Sequence, residues 1–218
     1  MQRLDLWFGG SYPAGTSLAE TESKPKTVQT RTLFKAFSNQ TQKRNRFPTL
    51  VSAQRNRNVL NFSKPASSIG FALSKLLKYI KSEHNIHNDV TAFLCTLPIG
   101  RTHYYDSVTE KDVDFMLYHL PTEQQQWVAR SALYNDTILY NAFYTTCVAH
   151  NIKLYILPIY SPLELHAPEN IIPENTCLFS PTDPLTITDR NLLCRDREHP
   201  NIEGHAYIAD KILNALDR

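Results

Sequence analysis

The sequence predicts an α/β fold, a parallel sheet of about five strands with helices on both faces. Three observations carry this. Short apolar runs without polar alternation, such as Val90-Thr91-Ala92-Phe93-Leu94-Cys95, are typical of strands buried on both faces. Segments with apolar residues at helical spacing alternate with these runs. The first apolar run ends in Gly9-Gly10-Ser11, which puts a turn and a polar residue at the carboxyl end of a strand, where such sheets place their sites.

The elements follow in order. Residues 4–8 form the first strand, and Pro13 suits the first turn of a helix after it. Residues 16–32 are polar and read as an exposed loop, with a helical turn at 33–37. A short helix is expected at 47–53 and a second strand at 59–62, stopped by Ser63-Lys64-Pro65. From Ser68, the residues Ile69, Ala72, Leu73, Leu76, Leu77 and Ile80 recur at helical spacing and predict an amphipathic helix facing the core. The third strand is 90–95, ended by Pro98. Residues 112–119 read as a short helix or loop. A long helix runs over 122–151, with Thr122 as N-cap and Gln125 three residues on. Residues 152–157 form another buried strand, and 176–179 a short one in a region of prolines and polar residues. The final helix spans about 202–216, with Ile208, Ile212, Leu213 and Leu216 inward and Asn201 available as its cap.

The chain has 218 residues, 42% hydrophobic and 20% charged, which fits a single domain over residues 1–218 with a full-sized core. No internal repeat is visible. Net charge is +2 without a long basic run, so neither nucleic acid nor a membrane surface is an expected partner. The segment 43–57 is locally basic through Lys43, Arg44, Arg46, Arg55 and Arg57, and reads as a solvated face ahead of a phosphate-binding patch. The first residues do not read as a signal peptide, and no run approaches the roughly 18 apolar residues of a membrane span. Four cysteines without paired spacing point to free thiols in a reducing compartment. No metal or other cofactor is expected.

Chemistry concentrates at the two ends. Asp196-Arg197-Glu198-His199 sets a carboxylate three residues before a histidine. In a turn, Asp196 accepts from the Nδ1–H of His199 and leaves Nε2 free to take a proton. Ser11 is the nucleophile that such a base requires. Taken singly, a serine after Gly-Gly is usually a turn residue, and an Asp-x-x-His pair often only caps a helix; the conjunction on a fitting fold is what points to catalysis. His205 reads as a packed or exposed histidine rather than a ligand, and Cys194 as a small buried side chain.

Together these motifs resemble the SGNH (GDSL) hydrolases, with residues 61–68 as the second block, and Phe47-Pro48, Asn61-Phe62-Ser63, Ser67-Ser68 and Arg101-Thr102 are similar to small phage-encoded members. The resemblance implies a three-layer, flavodoxin-like fold and a triad of Ser11, His199 and Asp196. Gly9-Gly10-Ser11 matches the first block, with Gly10 where the family has aspartate. Asp196, His199 and the following Pro-Asn-x-x-Gly-His match the last block. In the second block Ala66 stands where a glycine N–H usually serves the oxyanion hole, a role shared with the N–H of Ser11. The third block, 96–101, lacks the family's asparagine. Gly10, Arg101 and Tyr104 are candidate pocket residues of the site, with aromatic packing the commoner reading of Tyr104. The implied activity is hydrolysis of a small-molecule or carbohydrate ester, including O-deacetylation, without a metal. The alternative is a catalytically weak or inactive SGNH-fold binding or structural protein, such as a phage virion component with virion or homo-oligomer contacts. The expected location is cytoplasmic or virion-associated. A nucleotide-type site ranks last, for want of a phosphate-binding glycine loop.

Overall fold

The computed structural model describes residues 3–15, 40–65, 67–82, 89–97, 101–106, 111–116, 122–159, 176–179, 185, 187–194 and 198–217. Four parallel strands form the sheet: β1 (Arg3–Phe8), β2 (Asn58–Asn61), β3 (Asp89–Cys95) and β6 (Lys153–Leu157), in the order β2-β1-β3-β6. A fifth position is taken by a single parallel bridge from Ile156 to Cys177. The expected strand at 176–179 is thus reduced to one bridge.

Period-two alternation splits the core into two layers. Leu4, Leu6 and Phe8 of β1 join Ala92, Leu94, Leu154 and Ile156 beneath two helices, α4 (Ile69–Lys81) and α5 (Thr122–Ala149). On the other face Trp7, Phe93 and Leu157 pack under α3 (Phe47–Gln54) and α6 (Ile202–Leu216). The result is a three-layer αβα architecture. Two short helices, α1 (Ser11–Ala14) and α2 (Gln40–Asn45), precede α3. The chain leaves β1 toward α3 on one face and β3 toward α5 on the other. Adjacent β1 and β3 therefore form the topological switch point, and Ser11 begins immediately after β1.

Several expectations are corrected. Residues 111–116 are strand β5, paired antiparallel with β4 (Arg101–Asp106) in a hairpin outside the main sheet. Cross-strand hydrogen bonds make these strands, not an apolar period. Thr122 is the first residue of α5 rather than its cap. Leu77 is 40% exposed, at the margin of the apolar face of α4. Ser68 caps α4, its Oγ accepting the Phe71 N–H, and Asn201 caps α6. The expected turn at 33–37 lies outside the described residues. None of the four cysteines is in a disulfide, and no described helix is long and apolar enough to cross a membrane.

One charged residue breaks the apolar pattern of β1. Asp5 is fully buried on the α3 face. Its carboxylate accepts from Ser52 Oγ at 2.9 Å and from Arg55 Nη1 at 2.8 Å, and lies 2.6 Å from Arg57 Nε in a close charge contact. Ser52 in turn accepts from the Trp7 indole N–H at 3.2 Å. Arg57 continues to Asp89 at the start of β3, so one network ties β1, β3 and α3 at the amino edge of the sheet. Burial pushes the Asp5 carboxyl above its ordinary 3.8, against the opposing pull of Arg55, Ser52 and Arg57. Removing one member leaves the others desolvated and unpaired. Asp5→Ala is expected to lower stability by about 3 kcal/mol in urea unfolding, and a loss below about 1 kcal/mol would show the network to be dispensable.

Candidate active site

The site begins where β1 stops. Gly9 has φ 154°, and a Cβ there would lie 2.7 Å from Pro13 Cγ and 2.8 Å from Cys95 Cβ. Only glycine fits this approach. Its carbonyl accepts the Lys64 N–H at 3.1 Å and the Ser67 hydroxyl at 2.6 Å, which folds the loop after β2 onto the loop after β1. Asn61 strengthens that junction: Nδ2 donates to Pro13 O at 2.7 Å, while Oδ1 accepts the Ser63 N–H at 2.9 Å. The loop after β3 is held from below, with Leu97 N–H donating to the Tyr140 hydroxyl and Ile159 N–H to Thr96 Oγ1. The loop after β2 and the end of β3 therefore both meet the backbone at Gly9.

The other end of the chain supplies a closed turn. Leu193 and Pro200 form an antiparallel bridge, and Cys194 donates from its N–H to His199 O at 2.7 Å and from Sγ to Pro200 O at 3.2 Å. Leu193 and Cys194 are thus tied to His199 and Pro200, with His199 half-buried. Asn201 fastens the turn to α6: Oδ1 accepts the Gly204 N–H at 2.8 Å and Nδ2 donates to Asn191 O at 2.7 Å. Gly204 permits this packing, because a Cβ there would run into the Leu192 carbonyl.

Two residues join the ends. His205, fully buried in the first turn of α6, accepts the Phe47 N–H at Nδ1 (3.2 Å) and stacks on the Phe47 ring at 5.5 Å. Its neighbour in sequence to Phe47, Arg46, donates from Nη1 to Ala14 O at 3.3 Å, at the end of the helix that Ser11 opens. With Nδ1 accepting, the neutral ring of His205 carries its proton on Nε2, which is enclosed without a partner. Burial, with Arg46 and His199 adding to it, pushes His205 down from 6.5 to about 3.

The structure places Gly10 buried at the β1 turn and Ser11 at the first position of α1. His199 sits shortly before α6. Arg101 opens β4 and Tyr104 lies midway along it opposite Val113, so both belong to the hairpin. Asp196 and Ala66 lie outside the described residues, although Pro65 and Ser67, which flank Ala66, belong to the loop bonded to Gly9. Asn61, Ser67, Arg46 and His205 were not singled out as site-forming by sequence. Asn61 and Ser67 carried a signal as polar residues of the second block, and His205 as the end of the last block; Arg46 acts through Ala14, far away in the chain.

No protein-family model and no curated protein sequence matches the chain. Solved structures do. A psychrotrophic esterase, EstA, from Pseudoalteromonas sp. superposes with TM-score 0.57 at 12% identity, over 99% of this chain and 97% of that one. A putative lipolytic protein of the G-D-S-L family from Desulfitobacterium hafniense gives TM-score 0.55 at 11% identity, over 98% and 99%. The chain has the G-D-S-L esterase fold. An acetyl xylan esterase from the rumen bacterium Butyrivibrio proteoclasticus gives TM-score 0.58 at 12% identity, with 98% of this chain covering 63% of that one. At such identities the likeness concerns the fold, and the chemistry must come from the residues.

The neutral, buried His205 has a thermodynamic consequence. Below pH 6.5 the unfolded chain binds a proton that the folded chain refuses, so this group's contribution is full above 6.5 and is lost as pH falls toward 3. The slope is about 1.4 kcal/mol per pH unit. Between pH 7 and pH 5, His205→Gln should therefore lose about 2 kcal/mol less than the wild type in urea unfolding. Equal losses in the two proteins would contradict a neutral His205.

Proposed function

We propose that the protein is an SGNH-type serine hydrolase acting on an ester, including the O-acetyl group of a carbohydrate. The observation that carries this reading is the position of Ser11, directly after β1 at the switch point of a fold shared over nearly the whole chain with esterases. In the proposed mechanism Ser11 Oγ attacks the ester carbonyl while His199 takes its proton. Asp196 orients the imidazole and stabilises its charged form. The N–H groups of Ser11 and Ala66 hold the oxyanion; a backbone donor needs no particular side chain. The alcohol leaves with the proton returned by His199. Water, activated by the same base, then releases the carboxylic acid and restores Ser11.

Supporting the reading at the base end are the bond from Cys194 N–H to His199 O and the tie of His205, six residues on, to Phe47. Asparagine is absent from the third block and Gly10 replaces aspartate, so the proposed enzyme is slow: a missing oxyanion donor costs about 10²–10³ in rate. The same two departures favour the second reading, a weak or inactive scaffold such as a virion component. Hydrolysis of p-nitrophenyl acetate separates them. Slow turnover abolished by Ser11→Ala is expected; equal rates in wild type and variant would end the hydrolase reading.

A further inference from the structure

The basic segment 43–57 is sorted by the fold into three groups. Arg55 and Arg57 are spent on Asp5 and Asp89 at the amino edge of the sheet. Lys43 and Arg44 are exposed on α2. Arg46 differs from both. It is half-buried, with Nη1 committed to Ala14 O and Nε enclosed without a partner, and no described carboxylate pairs with it. Burial lowers its pKa, and among the described residues nothing acidic opposes the shift.

A guanidinium taken from water without a counter-ion is costly. Its bond to a carbonyl does not account for the charge, since a neutral amide side chain offers the same N–H without that cost. The location supplies the missing reason. Ala14 ends the helix that Ser11 opens, and on the other side Arg46 borders His205 and, beyond it, the turn carrying His199. The cation therefore stands between the nucleophile's segment and the base's segment, where the groups flanking a bound ester lie. A guanidinium is also the side chain whose planar fork best matches a carboxylate.

We propose that Arg46 is the specificity-determining residue of this site, binding a carboxylate carried by the substrate, so that the ester hydrolysed is an acidic one. This rests on the hydrolase reading of Ser11 and adds the chemical class of its substrate. The hydroxy compound or the acyl part can carry the charge, as in an acylated acidic sugar.

A matched pair of esters tests it: 4-acetoxybenzoate, which is anionic, and methyl 4-acetoxybenzoate, which is neutral but otherwise alike. The ratio of their kcat/KM values should fall by about tenfold or more in Arg46→Gln, mainly through KM for the anion, and fall less in Arg46→Lys, which keeps the charge. Arg44→Gln, altering an exposed neighbour, should leave the ratio as it is. An unchanged ratio in Arg46→Gln overturns the proposal. Should Arg46→Gln fail to unfold cooperatively, Arg46→Lys decides, an unchanged ratio again counting against it. If the wild type hydrolyses neither ester, the hydrolase reading fails by itself. Titration with 4-hydroxybenzoate, followed by NMR, then judges Arg46 separately: binding weakened by Arg46→Gln upholds the anion site, and binding that is equal or absent removes it.

Discussion

The close approach at Gly9 organises the carboxyl edge of the sheet. Pro13 and Cys95 occupy the space that any side chain at this position would need, so α1 and the end of β3 can both crowd against the last turn of β1. The buried carbonyl of Gly9 then becomes the anchor for Lys64 and Ser67, and with them for the start of α4. One missing Cβ thus allows three strand ends to meet, and Ser11 follows two residues later. Substituting that glycine would press on β1, α1 and β3 together, which is why its effect would reach beyond local strain.

The opposite edge of the sheet is held by charge rather than by close packing. Asp5, Arg55, Arg57 and Asp89 knit β1, β3 and α3 together, and the Trp7 indole joins through Ser52 while its ring stacks on Phe93. Since α3 begins at Phe47 and ends beside Arg55, the same helix links the buried ion network at one edge to His205 and Arg46 at the other. The helix that packs against His205 is therefore also anchored to Asp5, a core residue far from it. The protein uses its arginines in two ways: Arg55 and Arg57 are neutralised within the fold, while Arg46 keeps its charge near the proposed site.

What the sequence disclosed follows from how local each signal is. β3 and β6 were legible because strands buried on both faces are continuous apolar runs, and α4 because its cap Ser68 and its period agree. The β4–β5 hairpin was not: its residues mix Arg, His, Tyr and Asp, and the connecting Ser-Val-Thr-Glu lacks the glycine or asparagine that marks a tight turn. The fifth strand position, expected at 176–179, is seen among the described residues as a single bridge from Cys177 to Ile156. At the site, Ser11 and His199 stood out through motifs, each with its helix or turn nearby. Arg46 did not, and the last block showed no structural role for its His205, because the meaning of each lies in a partner distant in sequence: Ala14 for one and Phe47, 158 residues away, for the other.

The central claim is that Ser11 is a nucleophile activated by His199. Reaction with a fluorophosphonate followed by mass-spectrometric mapping addresses it without presuming a substrate. The account predicts one adduct, on Ser11, that fails to form in His199→Ala. An adduct on another residue, or no adduct in the wild type, would contradict it.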